Sequence, residues 1–149
     1  MPNQKFSDVS VIIPAYRAAN YIDRSIGSVL NQTICPKEVI IVDDGSDDNT
    51  SQKIEKYTNN DTSITINKLY QNNQGAGAAR NLAIEAATGR YVAFLDSDDE
   101  WLPGKLERSL FHIERGNFAL VAHNVLMVDG KSQKENDIAL RFKKSYDSL

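Results

Sequence analysis

One cysteine, Cys35, stands alone in the 149 residues, so no disulfide can form within the chain. That fits a reducing compartment, and a lone thiol of this kind more often packs than reacts. Histidine is nearly as scarce. His112 and His123 belong to no spaced set of ligands and read as surface and core-edge residues, not as a zinc site. Positive charge is not in excess: 17 Lys and Arg face 20 Asp and Glu, for a net charge of −3. This argues against a nucleic-acid or anionic-lipid surface, and it requires local cations or a metal wherever an anionic small molecule is held. No apolar stretch approaches the roughly 18 residues of a spanning helix. No signal peptide, internal repeat or low-complexity segment is evident. An apolar content of 41% over this length supports one domain with a real core, not two.

What is present is a set of short apolar runs, each ending in polar chemistry. Tyr91-Val92-Ala93-Phe94-Leu95 stops at Asp96-Ser97-Asp98-Asp99. Glu38-Val39-Ile40-Ile41-Val42 stops at Asp43-Asp44-Gly45-Ser46-Asp47-Asp48, and Val9 to Ile13 ends in Pro14-Ala15-Tyr16-Arg17. Such runs suit buried strands of a parallel sheet covered by helices on both faces. Open α/β folds bind their ligands at the carboxyl edge of that sheet. One acidic strand end is equally well a turn, since Asp and Ser are turn formers. Two of them, with a Tyr and an Arg at a third, point to one site along a sheet edge. Crowded carboxylates repel, and a hard divalent cation bridging them to substrate phosphates would give the crowding a reason; magnesium and manganese suit oxygen ligands.

Between the strands the spacing is helical. Asn20 is placed to cap a segment carrying Ile22, Ile26, Val29 and Leu30, and Ser46 or Asp47 a second one through Ile54 and Tyr57. Ile64 to Tyr70 has a period nearer two and reads as a half-exposed strand. Ala78 to Ala87 turns Leu82, Ala83 and Ala86 one way, with Gly89 as its stop. Pro103 would start a helix with Leu106, Leu110 and Ile113 facing a core and Gly116 ending it. Phe118 to Val128 reads as a strand closed by the Asp129-Gly130 turn, and from Lys131 onward the chain turns polar. Strand and helix alternate through at least four units, which argues for an α/β domain.

Asn72-Asn73-Gln74-Gly75-Ala76-Gly77-Ala78-Ala79-Arg80-Asn81 precedes the Ala-rich helix. Glycines and a helix N-terminus can receive an anion, and Arg80, one turn in, can reach a phosphate or a base edge. The Lys-Ser/Thr pair of a P-loop is missing, and the glycine spacing does not fit a dinucleotide fingerprint. A plain loop feeding a helix accounts for the segment equally well if the acidic edges are ignored.

Taken together, Val11-Ile12-Ile13-Pro14-Ala15-Tyr16, Val42-Asp43-Asp44-Gly45-Ser46-Asp47, Gly75 to Asn81 and Asp96-Ser97-Asp98-Asp99 closely resemble the inverting family-two glycosyltransferases of GT-A fold. All four motifs fall in the family's order, Trp101-Leu102-Pro103 follows the last as is typical, and coverage runs from about Ser7 to Asp129. The resemblance implies a three-layer α/β/α, Rossmann-like GT-A domain over residues 1–149, with a mainly parallel central sheet left incomplete at the C-terminus. It implies a nucleotide-diphosphate sugar as donor, UDP-sugar favoured, with Mn2+ or Mg2+ as cofactor and a carbohydrate or lipid-linked acceptor. By resemblance Ala15 and Tyr16 line the base pocket, Asp44 binds the base edge and Arg80 supports base or diphosphate. Pro14, Gly75 and Ser97 lie against the nucleotide, and the Asp-x-Asp element falls on Asp96 and Asp98, with Asp98 the direct metal ligand. Asp43 and Asp47 read as turn and cap residues, Asp48 as an insensitive surface position, and Asp99 as a supporting carboxylate. The implied setting is surface polysaccharide synthesis at the cytoplasmic side, with attachment to the inner face of the membrane as an option.

One departure stands out. Inverting transfer needs a carboxylate base for the acceptor hydroxyl, and that base normally follows the donor-binding half. Glu135, Asp137 and Asp147 sit in no family-like motif, so no catalytic residue is assigned, and a fragment of a longer enzyme is expected. The competing reading is a noncatalytic nucleotide-sugar-binding module. A nucleotidyltransferase fits less well, because no glycine- and lysine-rich loop follows Ile13.

Overall fold

The computed structural model describes residues 5–59, 63–116, 118–122, 125–128 and 133–136, which fall into two units, 1–108 and 109–149. In the first, strands β1 (Val9–Ala15), β2 (Glu38–Asp43), β3 (Thr65–Tyr70) and β4 (Tyr91–Phe94) alternate with helices α1 (Ile22–Leu30), α2 (Thr50–Thr58) and α3 (Ala76–Ala86). Every strand pair is parallel and the order is β3-β2-β1-β4. β1 and β2 are buried along their whole length, as expected of inner strands covered on both faces. Ile12, Ile40 and Val42 pack under Ala79 and Ala83 of α3 on one face. On the other, Lys68 of β3 bonds the Ser51 carbonyl and pairs with Glu55 of α2, and Asp23 ties α1 to α2 through Lys53 and Tyr57. This is a three-layer α/β/α arrangement.

β4 departs from the expectation of a strand buried on both sides. Among the described residues it pairs only with β1, and Val92 and Phe94 are 38% and 46% exposed. Apolar content marks a strand but not its neighbours, because the pairing is made with residues some 80 positions earlier in the chain, Val9 with Tyr91.

Helix ends also shift. α1 starts at Ile22 with no side-chain cap; the Ala18 carbonyl takes the amides of Tyr21 and Ile22, and the Tyr21 carbonyl those of Arg24 and Ser25. Neither Ser46 nor Asp47 caps α2; Asp48 accepts the Thr50 amide and hydroxyl instead. Ala86 is exposed, not core-facing. Gly89 lies beyond the end of α3, and its role is close approach: a Cβ there would sit 2.6 Å from the Ser10 amide nitrogen.

Helix α4 (Lys105–Gly116) buries Leu106 and leaves Leu110 and Ile113 half-buried. In the second unit, Phe111 meets His112 edge-to-face and carries the Arg115 guanidinium over its ring. Strands β5 (Val125–Val128) and β6 (Gln133–Asn136) pair antiparallel. Of the expected strand from Phe118, Val125–Val128 ladders with β6, and 118–122 finds no ladder among the described residues. β6 itself, polar throughout, carries no strand signal in the sequence, and it places Glu135 opposite Leu126. His123, the Asp129-Gly130 turn, Asp137 and Asp147 lie outside the described residues.

Candidate functional site

The register of the sheet brings the strand ends together. Ala15 pairs with Asp43, Asp43 with Tyr70, and Leu95 continues the ladder by donating to the Ile12 carbonyl. A cavity of about 250 Å³ opens at this carboxyl edge, lined by Pro14, Ala15, Tyr16, Asp44, Ala76, Arg80, Asp96, Ser97 and Asp98. Of the residues expected at the site, only Gly75 is not in the lining, and its neighbour Ala76 takes the place.

Gly75 acts one step back. Its amide donates to Asp44 Oδ2 at 2.9 Å, while Asp44 Oδ1 accepts Gln71 Nε2 at 2.6 Å and the Gln74 amide at 2.9 Å. Burial works against charge on Asp44, but these three donors outweigh it and hold the carboxyl below its usual range. Asp44 therefore anchors the glycine-rich loop as well as facing the cavity, a second task the motif did not show. Gly45 brings the two loops that close. At φ +72° it suits glycine, and a Cβ would fall 2.7 Å from the Asn73 amide nitrogen. Asp43 turns the chain by accepting the Ser46 amide, and its other oxygen is buried without a partner among the described residues.

The first loop is fastened to the second at three successive positions. Arg17 donates its amide to Ser46 Oγ and its guanidinium to both oxygens of Asp47, at 2.8 and 2.6 Å. The Ala18 amide reaches Thr50 Oγ1, and the Ala19 amide reaches Asp48 Oδ2. Asp48 is thus a half-buried fastener and not a bland surface residue, and Asp47 is a partner of Arg17 and not a cap. Nothing local signals either role, because the contacts span 29 to 32 residues.

α1 positions the acidic loop from behind. Ser25 Oγ donates to the Asp96 carbonyl, the Trp101 amide to Ser28 Oγ, and Gln32 joins the Leu102 carbonyl to the Leu106 amide. Ser25 and Ser28 of α1 and Gln32 just beyond its end recur at helical spacing, and that stripe of uncharged polar residues is the signal that was available. Trp101 lies under the Lys105 ammonium at 3.8 Å, and burial pushes this amine down to about 8. In the cavity itself Arg80 pairs with Asp96 Oδ1 at 2.5 Å. Asp98 is exposed, and the neighbouring Asp99 carboxyl is pushed up by burial and by the charges of Asp98 and Asp96.

The sequence pattern of glycosyl transferase family 2 matches residues 10–146, a span that includes every one of these cavity residues.

The chain belongs to glycosyl transferase family 2.

Among relatives, this family 2 chain is 46% identical over 124 residues to TuaG of Bacillus subtilis strain 168, a glycosyltransferase provisionally assigned to teichuronic acid biosynthesis; the match covers 82% of the chain and 49% of TuaG. It is 37% identical over 124 residues to WfgD of Escherichia coli, a UDP-Glc:α-D-GlcNAc-diphosphoundecaprenol β-1,3-glucosyltransferase, covering 83% and 48%. Among solved structures, residues 1–349 of S. aureus TarS superpose with a TM-score of 0.65 at 35% identity, over 76% of the chain and 33% of that chain. The complex of the same TarS segment with UDP-GlcNAc gives 0.63 at 37% identity, over 76% and 32%. The chain spans about half the length of TuaG and of WfgD. The family's GT-A fold agrees with the parallel sheet and flanking helices described above.

Proposed function

We propose that this chain binds the nucleotide of a nucleotide-diphosphate sugar in the strand-edge cavity, as the donor-binding part of an inverting glycosyltransferase of surface polysaccharide or glycoconjugate synthesis. The observation that carries the reading is convergence. Residues from four separate segments, Pro14 to Tyr16, Asp44, Arg80 and Asp96 to Asp98, line one cavity. The names of WfgD and of the TarS complex support a uridine nucleotide for this chain as well. A diphosphate leaving group and a sugar acceptor, carbohydrate or lipid-linked, follow from that donor. Placement at the inner face of a membrane would suit a lipid-linked acceptor; among the described residues no helix is long and apolar enough to cross one.

In this reading Tyr16 offers a ring face to the base and Asp44 keeps a carboxylate oxygen available to a base N–H. Arg80 exchanges part of its hold on Asp96 for the diphosphate, to which a guanidinium is well matched. The donor set suits a hard divalent cation. No group of three or more His, Cys, Asp or Glu residues is gathered for a metal among the described residues, but Mn2+ or Mg2+ needs only one or two carboxylates when phosphates complete its shell. Asp98 and Asp96 would hold it; the Asp99 carboxyl is raised first by burial and then by the charges of these two neighbours, and a cation would relieve that second effect. Such an ion, once bound, would neutralise charge developing on the departing diphosphate.

Calorimetric titration of UDP into the chain, with manganese and with chelator, tests the reading. Binding should be tighter with manganese, and Asp98→Ala should remove most of that gain while leaving the melting temperature unchanged or raised. Equal affinity in both conditions would remove the metal from the proposal, and no binding in either would remove the nucleotide.

A further inference from the structure

Arg17 is the only non-glycine residue with positive φ among the described residues, at +49°. Arginine has no intrinsic preference for that region, which glycine or asparagine adopts more readily. Residues held in such conformations gather where the surrounding structure fixes them for a task. The fixing groups are visible: Ser46 holds the amide and Asp47 the guanidinium, by a two-pronged ion pair. Both side chains are mostly exposed, at 58% and 66%, so solvent screening limits what even a two-pronged pair adds to folding. The arrangement has a different product. The Arg17 guanidinium carbon sits 5.2 Å from the centre of the Tyr16 ring, and Tyr16, 44% exposed, is a wall of the cavity. Arg17 is itself absent from the cavity lining.

We propose that Arg17 and Asp47 form a clamp that sets the Tyr16 ring as the wall against which the nucleotide base rests, so that Arg17 is a positioning residue acting through Tyr16. This rests on the nucleotide-binding reading of the cavity. The ion pair links the loops after β1 and β2, the cation covers part of the ring, and the left-handed backbone of Arg17 turns the side chain back across its neighbour. A ring held this way loses little motional freedom when a base arrives, which is how preorganisation improves affinity. In the proposed reading the diphosphate falls to Arg80 and the acidic loop, and neither Arg17 nor Asp47 belongs to that part of the lining.

The test uses the full 149-residue chain with manganese, titrating UDP and, separately, inorganic pyrophosphate. Arg17→Asn keeps a residue that tolerates the backbone angle but removes the fork, and Asp47→Asn removes the other prong. Each should weaken UDP about two- to tenfold, the scale of one aromatic contact, with pyrophosphate affinity unchanged. The double variant should be no worse than either single, and in a Tyr16→Ala background Arg17→Asn should add nothing. Melting temperatures should barely move. A purely structural pair would show the reverse, lower melting temperatures with UDP affinity intact, and that result overturns the clamp. Tighter UDP binding by Asp47→Asn would also overturn it, because a freed Arg17 would then be meeting the ligand directly. If the unaltered chain binds pyrophosphate but not UDP, the base-pocket reading falls and the clamp with it. Failure of the variants alone leaves that reading standing.

Discussion

A buried carboxylate with three donors is hard to replace, and Asp44 carries that burden while facing a ligand cavity. Asp44→Ala should lower stability by roughly 1.5–3 kcal/mol, the scale for losing hydrogen bonds to a charged group, and should also weaken UDP. Gln71→Ala removes one donor only, so it should cost less stability and leave most of the affinity. Denaturant melts and calorimetry on the two variants separate the tasks; equal loss of affinity in both would make Asp44 a loop anchor alone. Single residues of the cavity were legible in the sequence because chemistry-bearing side chains concentrate where apolar periodicity stops. Their partners were not. Arg17 with Asp47, and Asp48 with Ala19, meet across about thirty positions, and neither end carries a local pattern that names the other. Glu38 was hidden differently: read as the first residue of an apolar run, it is a buried carboxylate accepting from Ser10, Asn67 and both donors of Thr88.

At the level of elements, α1 is both core helix and scaffold for the acidic loop, since Ser25, Ser28 and, just past the helix end, Gln32 hold the backbone from Asp96 to Leu106. The start of α4 reports on that segment. Trp101 is the chain's single tryptophan, and the Lys105 ammonium lies on its ring. The intrinsic fluorescence should therefore titrate with a midpoint near the lowered value of about 8 for Lys105, and Lys105→Met should abolish the transition. The sign follows from the charge. Below that midpoint the cation sits on the ring, and above it the neutral amine does not. A flat profile would mean that Lys105 leaves the ring in solution. Strand positions and the alternation of elements were legible here, because burial imposes its periods on the sequence; the pairing of β4 was not, because its partner lies some 80 positions earlier, and β6 was not, because its residues are polar throughout.

For the whole molecule, several carboxyls are held below their usual values: Glu38 and Asp44 against the opposing effect of burial, and Asp23 by its bond from Lys53. A lowered folded value means stability that is fully present above the ordinary 3.8 of Asp and 4.5 of Glu, and lost as pH falls through the folded values. Asp99 runs the other way: its raised value means a penalty that disappears on acidification. Melts between about pH 3 and pH 7 should show net acid lability, reduced in slope by Glu38→Gln, while Asp99→Asn should raise stability only at the upper end. An unchanged slope in Glu38→Gln would place the acid-sensitive groups elsewhere. The sheet order has a kinetic consequence of its own. β1, first in the chain, waits for β4 across some 80 intervening residues, and closing so large a loop is slow. In refolding, helices and the β1–β2 pair should therefore form before Asp96 and Asp98 come alongside Ala15. Ligand competence should lag behind the recovery of circular dichroism in a stopped-flow experiment with UDP, because the two halves of the cavity belong to the earliest and the latest parts of the sheet to assemble.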